Sequence, residues 1–319
     1  MPNDVFDTPP TTLGGARFAP DDPQTPQGAP EREFTVKERS QSQLVFRRFL
    51  QHRLAMISLV VFVLIILFAY VGAAIWKYNA ADITEQNSAP PSGDHPFGTD
   101  AVGHDTLAQV MRGTQISLQI SILVAIFATV VGTVWGAVAG YYRGWLDTIL
   151  MRIADLVLTL PLLAVAAVLG HQSGGTWWLI AVVIGGLYWA YVSRVARGVV
   201  LSLREKEFVE ASKALGASDS RIIFRHLVPN ALGAIIVNLT ILVSIAILLE
   251  TALSFLGFGV QPPDTSLGLL VSSAQTAIDT RPWLFYFPGI FIILIALTIN
   301  FIGDGLRDAF DPQQTKVRA

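Results

Sequence analysis

Five stretches of this chain are long, apolar and free of charged side chains, and they limit its fold more than any other feature. They cover residues 54–76, 113–142, 156–193, 226–249 and 282–303. A helix that crosses the roughly 30 Å hydrocarbon core of a bilayer needs about 20 such residues. Only 14% of the residues are charged, against about 25% in a typical soluble domain. The sequence therefore predicts an integral membrane protein.

The third apolar stretch is too long for a single crossing. It contains 38 residues, and the turn-forming sequence Gly-His-Gln-Ser-Gly-Gly interrupts it at residues 170–175. We expect it to fold back as two spans. The predicted fold is all-α, with six transmembrane helices near residues 54–76, 116–140, 154–170, 177–195, 231–257 and 284–304.

The chain changes character outside the spans. Its first 38 residues hold seven of the 17 prolines and no sustained apolar period, so they bury too little surface to offset their ordering entropy. We predict four segments. They are a disordered proline-rich arm over 1–38, a segment with the first helix and an outer loop over 39–112, a core of five helices over 113–312 and a tail over 313–319.

Basic residues predict the orientation of the chain in the membrane. With the N-terminus in the cytoplasm, 19 of the 22 Lys and Arg residues lie inside, and only Lys77, Arg112 and Arg281 lie outside. Short cytoplasmic loops are enriched in Lys and Arg. The first span is expected to remain as an anchor, because it is longer than a signal-peptide core and has no clear cleavage site. Both termini and the loop 203–229 are therefore predicted to be cytoplasmic.

The loop 203–229 combines many charged residues with a narrow apolar stripe. Phe208, Ala211 and Leu215 share one face of a predicted helix over 203–215, and Glu210 lies off that face. A short amphipathic helix of this kind can lie on lipid or fit a groove on a partner protein. The local physics favours neither alternative.

Turn-forming residues divide this loop. Gly216 follows the predicted helix where a left-handed residue commonly ends one, and Ser218 or Asp219 is placed to cap a second short helix. Pro229 then stands where the next apolar span begins, a position that tolerates its missing backbone N–H.

Three glycines recur at every fourth position of the second span, namely Gly132, Gly136 and Gly140. Such spacing lets another helix approach backbone to backbone, which matters because lipid supplies no hydrophobic drive for helix association. We interpret the repeat as a packing surface, with a hinge or pore-lining role as the alternative.

Glu250 is the one acidic residue inside an apolar span, and Asn238 is a polar neighbour in the same span. A carboxylate in the membrane must be paired, protonated or in contact with water. Both residues are candidates for a translocation path. The alternative is a packing or hydrogen-bonding role without contact to cargo.

The predicted outer loop contains five residues of types that can bind metal: Asp94, His95, Asp100, His104 and Asp105. Their setting among Gly and Pro is more typical of turns and caps, with Asp105 or Thr106 starting a helix. No His-x-His or His-x-x-x-His spacing supports a metal site. We therefore predict no metal and keep a metal site as the alternative.

The motifs of common enzymes are missing. The sequence contains no Gly-x-x-x-x-Gly-Lys phosphate loop, no His-Glu-x-x-His, no Gly-x-Ser-x-Gly and no cysteine. The chain is therefore expected to have no catalytic residues and to bind no ATP by itself.

One stretch resembles the EAA loop of membrane subunits of ATP-binding-cassette (ABC) importers. It reads Glu210-Ala211-Ser212-Lys213-Ala214-Leu215-Gly216 and is followed at the expected distance by Pro229. In that family the loop forms a coupling helix that inserts into a groove on the ATPase subunit. The resemblance thus implies ATPase-coupling roles for Phe208, Glu210, Ala211, Leu215, Gly216 and Pro229.

Further motifs, over roughly residues 40–312, resemble the dipeptide, oligopeptide and nickel importer branch, and in particular its C-type membrane subunit. They include His95-Pro96-Phe97-Gly98-Thr99-Asp100, Gly140-Tyr141-Tyr142, Leu253-Ser254-Phe255-Leu256-Gly257 and Gly303-Asp304-Gly305-Leu306-Arg307-Asp308. The resemblance implies the type I ABC importer (MetI-like) permease fold. Residues 39–112 are then the N-terminal permease segment, and residues 113–312 are the permease core.

The same resemblance implies the partners of the chain. They are a homologous B-type permease subunit, two ABC ATPase subunits that carry ATP and Mg²⁺, an extracellular or periplasmic peptide-binding protein, a peptide substrate and membrane lipid, without nucleic acid. The chain would lie in the bacterial cytoplasmic membrane. A nickel or glutathione importer of the same branch is the near alternative, and a secondary transporter or membrane enzyme is the remote one.

Overall fold

The computed structural model describes residues 41–172 and 174–310, and the regular elements in those ranges are all helical. The predicted arm over 1–38 and tail over 313–319 lie outside them. In chain order the helices are α1 (Gln41–Gln51), α2 (Arg53–Ile75), α3 (Thr106–Tyr142), α4 (Gly144–Thr159), α5 (Leu162–Gln172), α6 (Trp177–Arg204), α7 (Glu207–Ala214), α8 (Asp219–Phe255), α9 (Leu267–Ala274) and α10 (Trp283–Phe310).

Five of these helices, α2, α3, α6, α8 and α10, are long and apolar enough to cross a membrane. A sixth crossing is formed if the bent pair α4 and α5 counts as one span. The predicted all-α membrane fold is therefore confirmed, and the six predicted spans agree with the upper count. The part of the chain that is described has isolated β-bridges but no strand.

The third span differs from the prediction of one helix near residues 154–170. It is bent by 81° between Gly144–Thr159 and Leu162–Gln172. The break lies at Leu160, whose backbone is extended (φ −70°, ψ 136°). Pro161 follows it, and a proline both lacks an N–H and drives the preceding residue out of the helical region. The predicted span over 154–170 is therefore part of a longer, broken helix pair and is not one continuous helix.

The fifth span also differs, because it begins before residue 231. One continuous helix covers Asp219–Phe255, so the predicted second short helix is its first turns. Ser218 takes the N-cap position, but its side chain makes no capping hydrogen bond. Residues Ile222–Leu227 wind as a π-helix just before Pro229. The wider turn makes room for a ring that would otherwise meet the carbonyl four residues earlier.

Helices α3 and α8 lie at the centre of the fold. Leu118 of α3 and Ile247 of α8 belong to a buried cluster shared with α2, α9 and α10. On the other side, Ile120 of α3 and Leu253 of α8 belong to a second cluster shared with α5 and α6. Both central helices therefore contact most of the other spans.

The glycine repeat of α3 lies directly against the backbone of α6. A Cβ atom at Gly132 would lie 2.6 Å from the carbonyl oxygen of Trp189, and one at Gly140 would lie 3.0 Å from that of Arg197. Gly136 meets the backbone of Ser193 even more closely. The predicted packing role of the repeat is confirmed.

Replacement of Gly136 by valine should therefore force α3 and α6 apart. We expect Gly136→Val to lower the free energy of unfolding by about 1–3 kcal/mol. A matched control is Gly198→Val on α6, where no atom lies within 4 Å of an added Cβ. Thermal unfolding of the purified protein in detergent measures both variants. Equal unfolding temperatures for the two would contradict the packing role.

Candidate functional site

The segment that joins α6 to α8 contains five of the six predicted coupling residues, and the sixth, Pro229, lies within α8. Helix α6 continues to Arg204, the chain turns at Glu205 and Lys206, and α7 begins only at Glu207. The predicted helix over 203–215 was therefore too long at its start. We call residues 207–218, from the start of α7 to the residue before α8, the coupling segment.

The predicted apolar stripe of α7 faces away from the rest of the chain. The side chain of Phe208 is 37% exposed and that of Leu215 is 88% exposed. Glu210 and Ala211 are exposed as well. The residue that α7 buries is Val209, at 0% exposure. Within the described residues, the stripe thus leaves an apolar surface that is partly exposed at Phe208 and almost fully exposed at Leu215.

Val209 attaches the coupling segment to the helices above it. It packs in a buried cluster with Tyr141 of α3, Val200 of α6, and Ile222 and Leu227 of α8. Four helices therefore meet at this point, and the short α7 is held by one apolar side chain.

Tyr141 adds polar contacts to the same cluster. Its hydroxyl donates a hydrogen bond of 2.6 Å to Asp219 Oδ1 at the start of α8, and its backbone carbonyl accepts one from the Arg204 guanidinium at the end of α6. The Arg204 guanidinium and the Lys213 ammonium lie 5.7 Å and 5.4 Å from the ring centroid, within cation–π range. Tyr141 thus joins α3 to α6, α7 and α8.

The turn after α7 has the predicted left-handed geometry. Gly216 has φ +75°, and its N–H donates to the carbonyl of Lys213 at 2.9 Å while that of Ala217 donates to Ser212 at 3.1 Å. No atom lies within 4 Å of a Cβ built on Gly216. The backbone conformation, rather than lack of space, therefore makes glycine the preferred residue.

The two path candidates occupy different environments on α8. Glu250 is fully buried and accepts hydrogen bonds from three serine hydroxyls. Asn238 is partly buried and donates to the carbonyl of Ala234 in its own helix, at 2.9 Å. Twelve residues of helix, about 18 Å, separate them. Glu250 therefore has the hydrogen-bonding role that the sequence left open, and a path through either residue stays a prediction.

The loop before α3 lies at the opposite end of that helix from the coupling segment. His95 Nδ1 lies 2.7 Å from Asp105 Oδ2, with both side chains buried. Asp105 also caps α3 by accepting from the N–H of Ala108 at 2.8 Å, which confirms the predicted helix start. His104 pairs separately with Asp100 at 2.8 Å. The fifth candidate, Asp94, accepts a hydrogen bond of 2.6 Å from Lys77 Nζ. The candidate metal ligands are thus used in two His–Asp pairs and one Lys–Asp pair.

A cavity of about 1110 Å³ opens beside this loop. The first turns of α3, the residues after α8 and one face of α9 line it. Arg112 of α3 and Asp264 form an ion pair of 3.0 Å in its wall, and both side chains are more than one third exposed. The fold therefore has a cavity with an ion pair in its wall near one end of α3 and the coupling segment near the other end.

Comparison with known proteins identifies the family. Residues 132–316, more than half of the chain, match a sequence profile described as "Binding-protein-dependent transport system inner membrane component". The chain belongs to this family. Residues 40–91 match a second profile, described as the N-terminal transmembrane domain of oligopeptide transport permease C.

Full-length relatives agree with the assignment of this permease. It is 40% identical over 284 residues to the oligopeptide transport system permease protein OppC of Mycobacterium tuberculosis (strain ATCC 25618 / H37Rv), covering 88% of this chain and 97% of the relative. It is 42% identical over 281 residues to OppC of Escherichia coli (strain K12), covering 87% and 93%. In both cases nearly the whole relative is matched.

One solved structure supports the fold of the permease. A chain of the MetNI methionine ABC transporter in an inward-facing conformation superposes with a TM-score of 0.52. The match covers 64% of this permease and 97% of that chain at 18% sequence identity. At this identity the likeness concerns the fold alone, and it confirms the predicted MetI-like architecture.

Sequence reasoning missed the residues that hold the coupling segment. Val209 lies next to Phe208, which belongs to the predicted apolar stripe, so periodicity in an eight-residue helix pointed to the exposed face. Tyr141 and Asp219 are 78 residues apart. The only signal for Tyr141 was its place in Gly140-Tyr141-Tyr142. That motif indicated the protein family but not which residues Tyr141 contacts.

The hydrogen bond between Tyr141 and Asp219 should stabilise the coupling segment locally. We expect Tyr141→Phe, which keeps the packed ring, to lower the local opening free energy by about 1 kcal/mol. Amide hydrogen exchange over residues 215–223 should then be roughly fivefold faster. The control is Tyr191→Phe, an exposed ring on α6. Unchanged exchange in Tyr141→Phe would mean that the hydrogen bond does not hold the segment.

Proposed function

We propose that this permease is one of the two membrane-spanning subunits of an ATP-driven importer of dipeptides and oligopeptides. Relatives that are 40% and 42% identical along nearly their whole length carry the name of an oligopeptide permease. A separate profile named for permease C also matches at the N-terminal end. Cargo crosses by movement of helices, without a chemical step in this chain.

The observation that carries the coupling role is an anchored segment with an exposed apolar face. Val209 and Tyr141 fix the coupling segment to the membrane helices, while Phe208 and Leu215 project from it into the surroundings. A helix that presents its apolar face in this way suits a groove on a partner. We assign Phe208 and Leu215 as apolar anchors in the ATPase, Glu210 as a charged contact and Ala211 as a site of close approach.

The complete transporter would contain a homologous B-type permease subunit, two ABC ATPase subunits and an extracellular or periplasmic peptide-binding protein. ATP and Mg²⁺ would bind to the ATPase subunits, and this chain would hold no cofactor. The assembly would lie in the bacterial cytoplasmic membrane. Both termini and the coupling segment would then face the cytoplasm, as the basic residues predict.

Because α8 is a continuous helix, a movement of the coupling segment would be transmitted along its whole length. Helix α8 begins next to the segment and continues unbroken over Asp219–Phe255, a length of about 55 Å at 1.5 Å per residue. When ATP closes the ATPase subunits, a shift at the foot of α8 tilts the whole helix. The cavity then opens alternately to the two membrane faces. This requires that the coupling segment bind the open and closed states of the ATPase subunits with different free energies.

Uptake by the reconstituted complex tests the function. With ATP inside proteoliposomes and the binding protein outside, we expect the import of a labelled oligopeptide and none without ATP. Ni²⁺ and glutathione serve as alternative cargoes in parallel assays. Import of either one, with no import of peptide, would replace the proposed cargo. Peptide import that persists without the ATPase subunits would refute the importer assignment.

Gly216 gives a sharper test of coupling. A β-branched residue is disfavoured at φ +75° by about 1–2 kcal/mol, so Gly216→Val should weaken ATPase association and reduce peptide uptake at least tenfold. Asparagine tolerates the left-handed region, and Gly216→Asn should keep at least half of the uptake. Co-purification and uptake measure the pair. Equal behaviour of the two variants would show that backbone geometry at this turn is not required.

A further inference from the structure

The proposed coupling mechanism does not use one fully buried polar cluster of the permease. Glu250 of α8 is fully buried and receives hydroxyl hydrogen bonds from three elements. Ser117 of α3 donates to its Oε2 at 3.2 Å. Ser266, just before α9, donates to its Oε1 at 2.6 Å, and Ser254 of α8 donates to the same oxygen at 2.7 Å. We call these four residues the Glu250 cluster.

Two of these hydroxyls connect the carboxylate to the backbone of α9. Ser117 Oγ accepts a hydrogen bond of 3.1 Å from the N–H of Leu267, and Ser266 Oγ accepts one of 3.1 Å from the N–H of Leu269. The first N–H groups of a helix have no partner inside it. Two of these N–H groups are linked to Glu250, each through one serine hydroxyl. The N–H of Leu267 is linked to Oε2 through Ser117, and the N–H of Leu269 is linked to Oε1 through Ser266. The carboxyl group thus faces the positive end of the α9 dipole.

Close backbone contact reinforces this connection. A Cβ atom at Gly268 would lie 2.7 Å from Thr251 Cα on α8, and one at Gly113 of α3 would lie 3.1 Å from the nitrogen of Leu267. The first turn of α9 is therefore set between α3 and α8 with no side chain in between. Leu269 of this turn and Ser273 further along the helix line the cavity.

We propose that Glu250 is a positioning residue that fastens the first turn of α9 to α3 and α8, so that α9 moves with these two helices. Both helices also meet at the coupling segment, through Tyr141 and Asp219. They are thus tied together at one membrane face by a tyrosine and at the other by the Glu250 cluster. A movement that begins at the ATPase would reach the wall of the cavity through α9. This inference rests on the proposed function only for the source of the movement.

The serines of the cluster provide matched variants. Ser117→Ala removes a hydroxyl that bridges α3 to both Glu250 and α9. Ser254→Ala removes a hydroxyl of the same kind, but its bond lies within α8, at spacing i, i+4. Glu250→Gln is a second test variant, because an amide NH₂ cannot accept the hydrogen bond that Ser117 donates.

Distance measurements can follow α9 directly. The chain contains no cysteine, so Ser273→Cys on α9 and Gln109→Cys on α3 introduce two spin-label sites that face the same cavity. In the assembled transporter we expect one narrow distance distribution, unchanged in width between the resting and ATP-bound states. Ser254→Ala should behave in the same way. Ser117→Ala and Glu250→Gln should at least double the width.

Transport provides the second measurement. Peptide uptake per ATP hydrolysed should fall at least fivefold in Ser117→Ala and Glu250→Gln, with assembly intact, and less than twofold in Ser254→Ala. The proposal would be overturned if both test variants kept the distance-distribution width and the uptake per ATP of the unmutated transporter. Equal losses of uptake per ATP in all three serine and glutamate variants would overturn it as well. If the parent complex imports no peptide, the proposed function fails, and the distance widths alone decide the role of Glu250.

Discussion

Direct backbone contact between α3 and α6 is the constraint on which the arrangement of this permease depends. Glycines at every fourth residue of α3 leave no side chain between the two helices, and lipid offers no hydrophobic drive that could replace such contact. Because α6 and α3 are fixed to each other at this seam, their adjacent ends form a firm base for α7. The exposed coupling segment is thus supported by packing inside the membrane.

Much of this fold could be predicted from the sequence, because bilayer thickness and backbone conformation act locally. The apolar runs gave the six spans, and Gly216 has the left-handed geometry that its position indicated. Pro161 is the local signal for the bend at Leu160, because a proline disfavours the helical conformation in the residue before it, and apolar length alone does not reveal it. The early start of α8 was missed because the charged first turns look like a loop.

The interior contacts could not be predicted in the same way. Ser117 and Glu250 are 133 residues apart, and no periodicity relates them. A serine in a spanning helix commonly bonds to a carbonyl of its own helix, so its type does not reveal a bridge. Likewise, Phe208 and Val209 are both apolar, and only the packing of the helices shows that Val209 is the buried one. Such contacts follow from the packing of whole helices.

The bend between α4 and α5 has a consequence for what surrounds the permease. Where a helix is interrupted inside a bilayer, its free carbonyl groups cannot be left facing hydrocarbon. Leu156 is 67% exposed and Leu160 is 46% exposed in the isolated chain. This corner therefore belongs against protein or in contact with water, and the lipid-facing perimeter of the assembled permease should be sought along other helices.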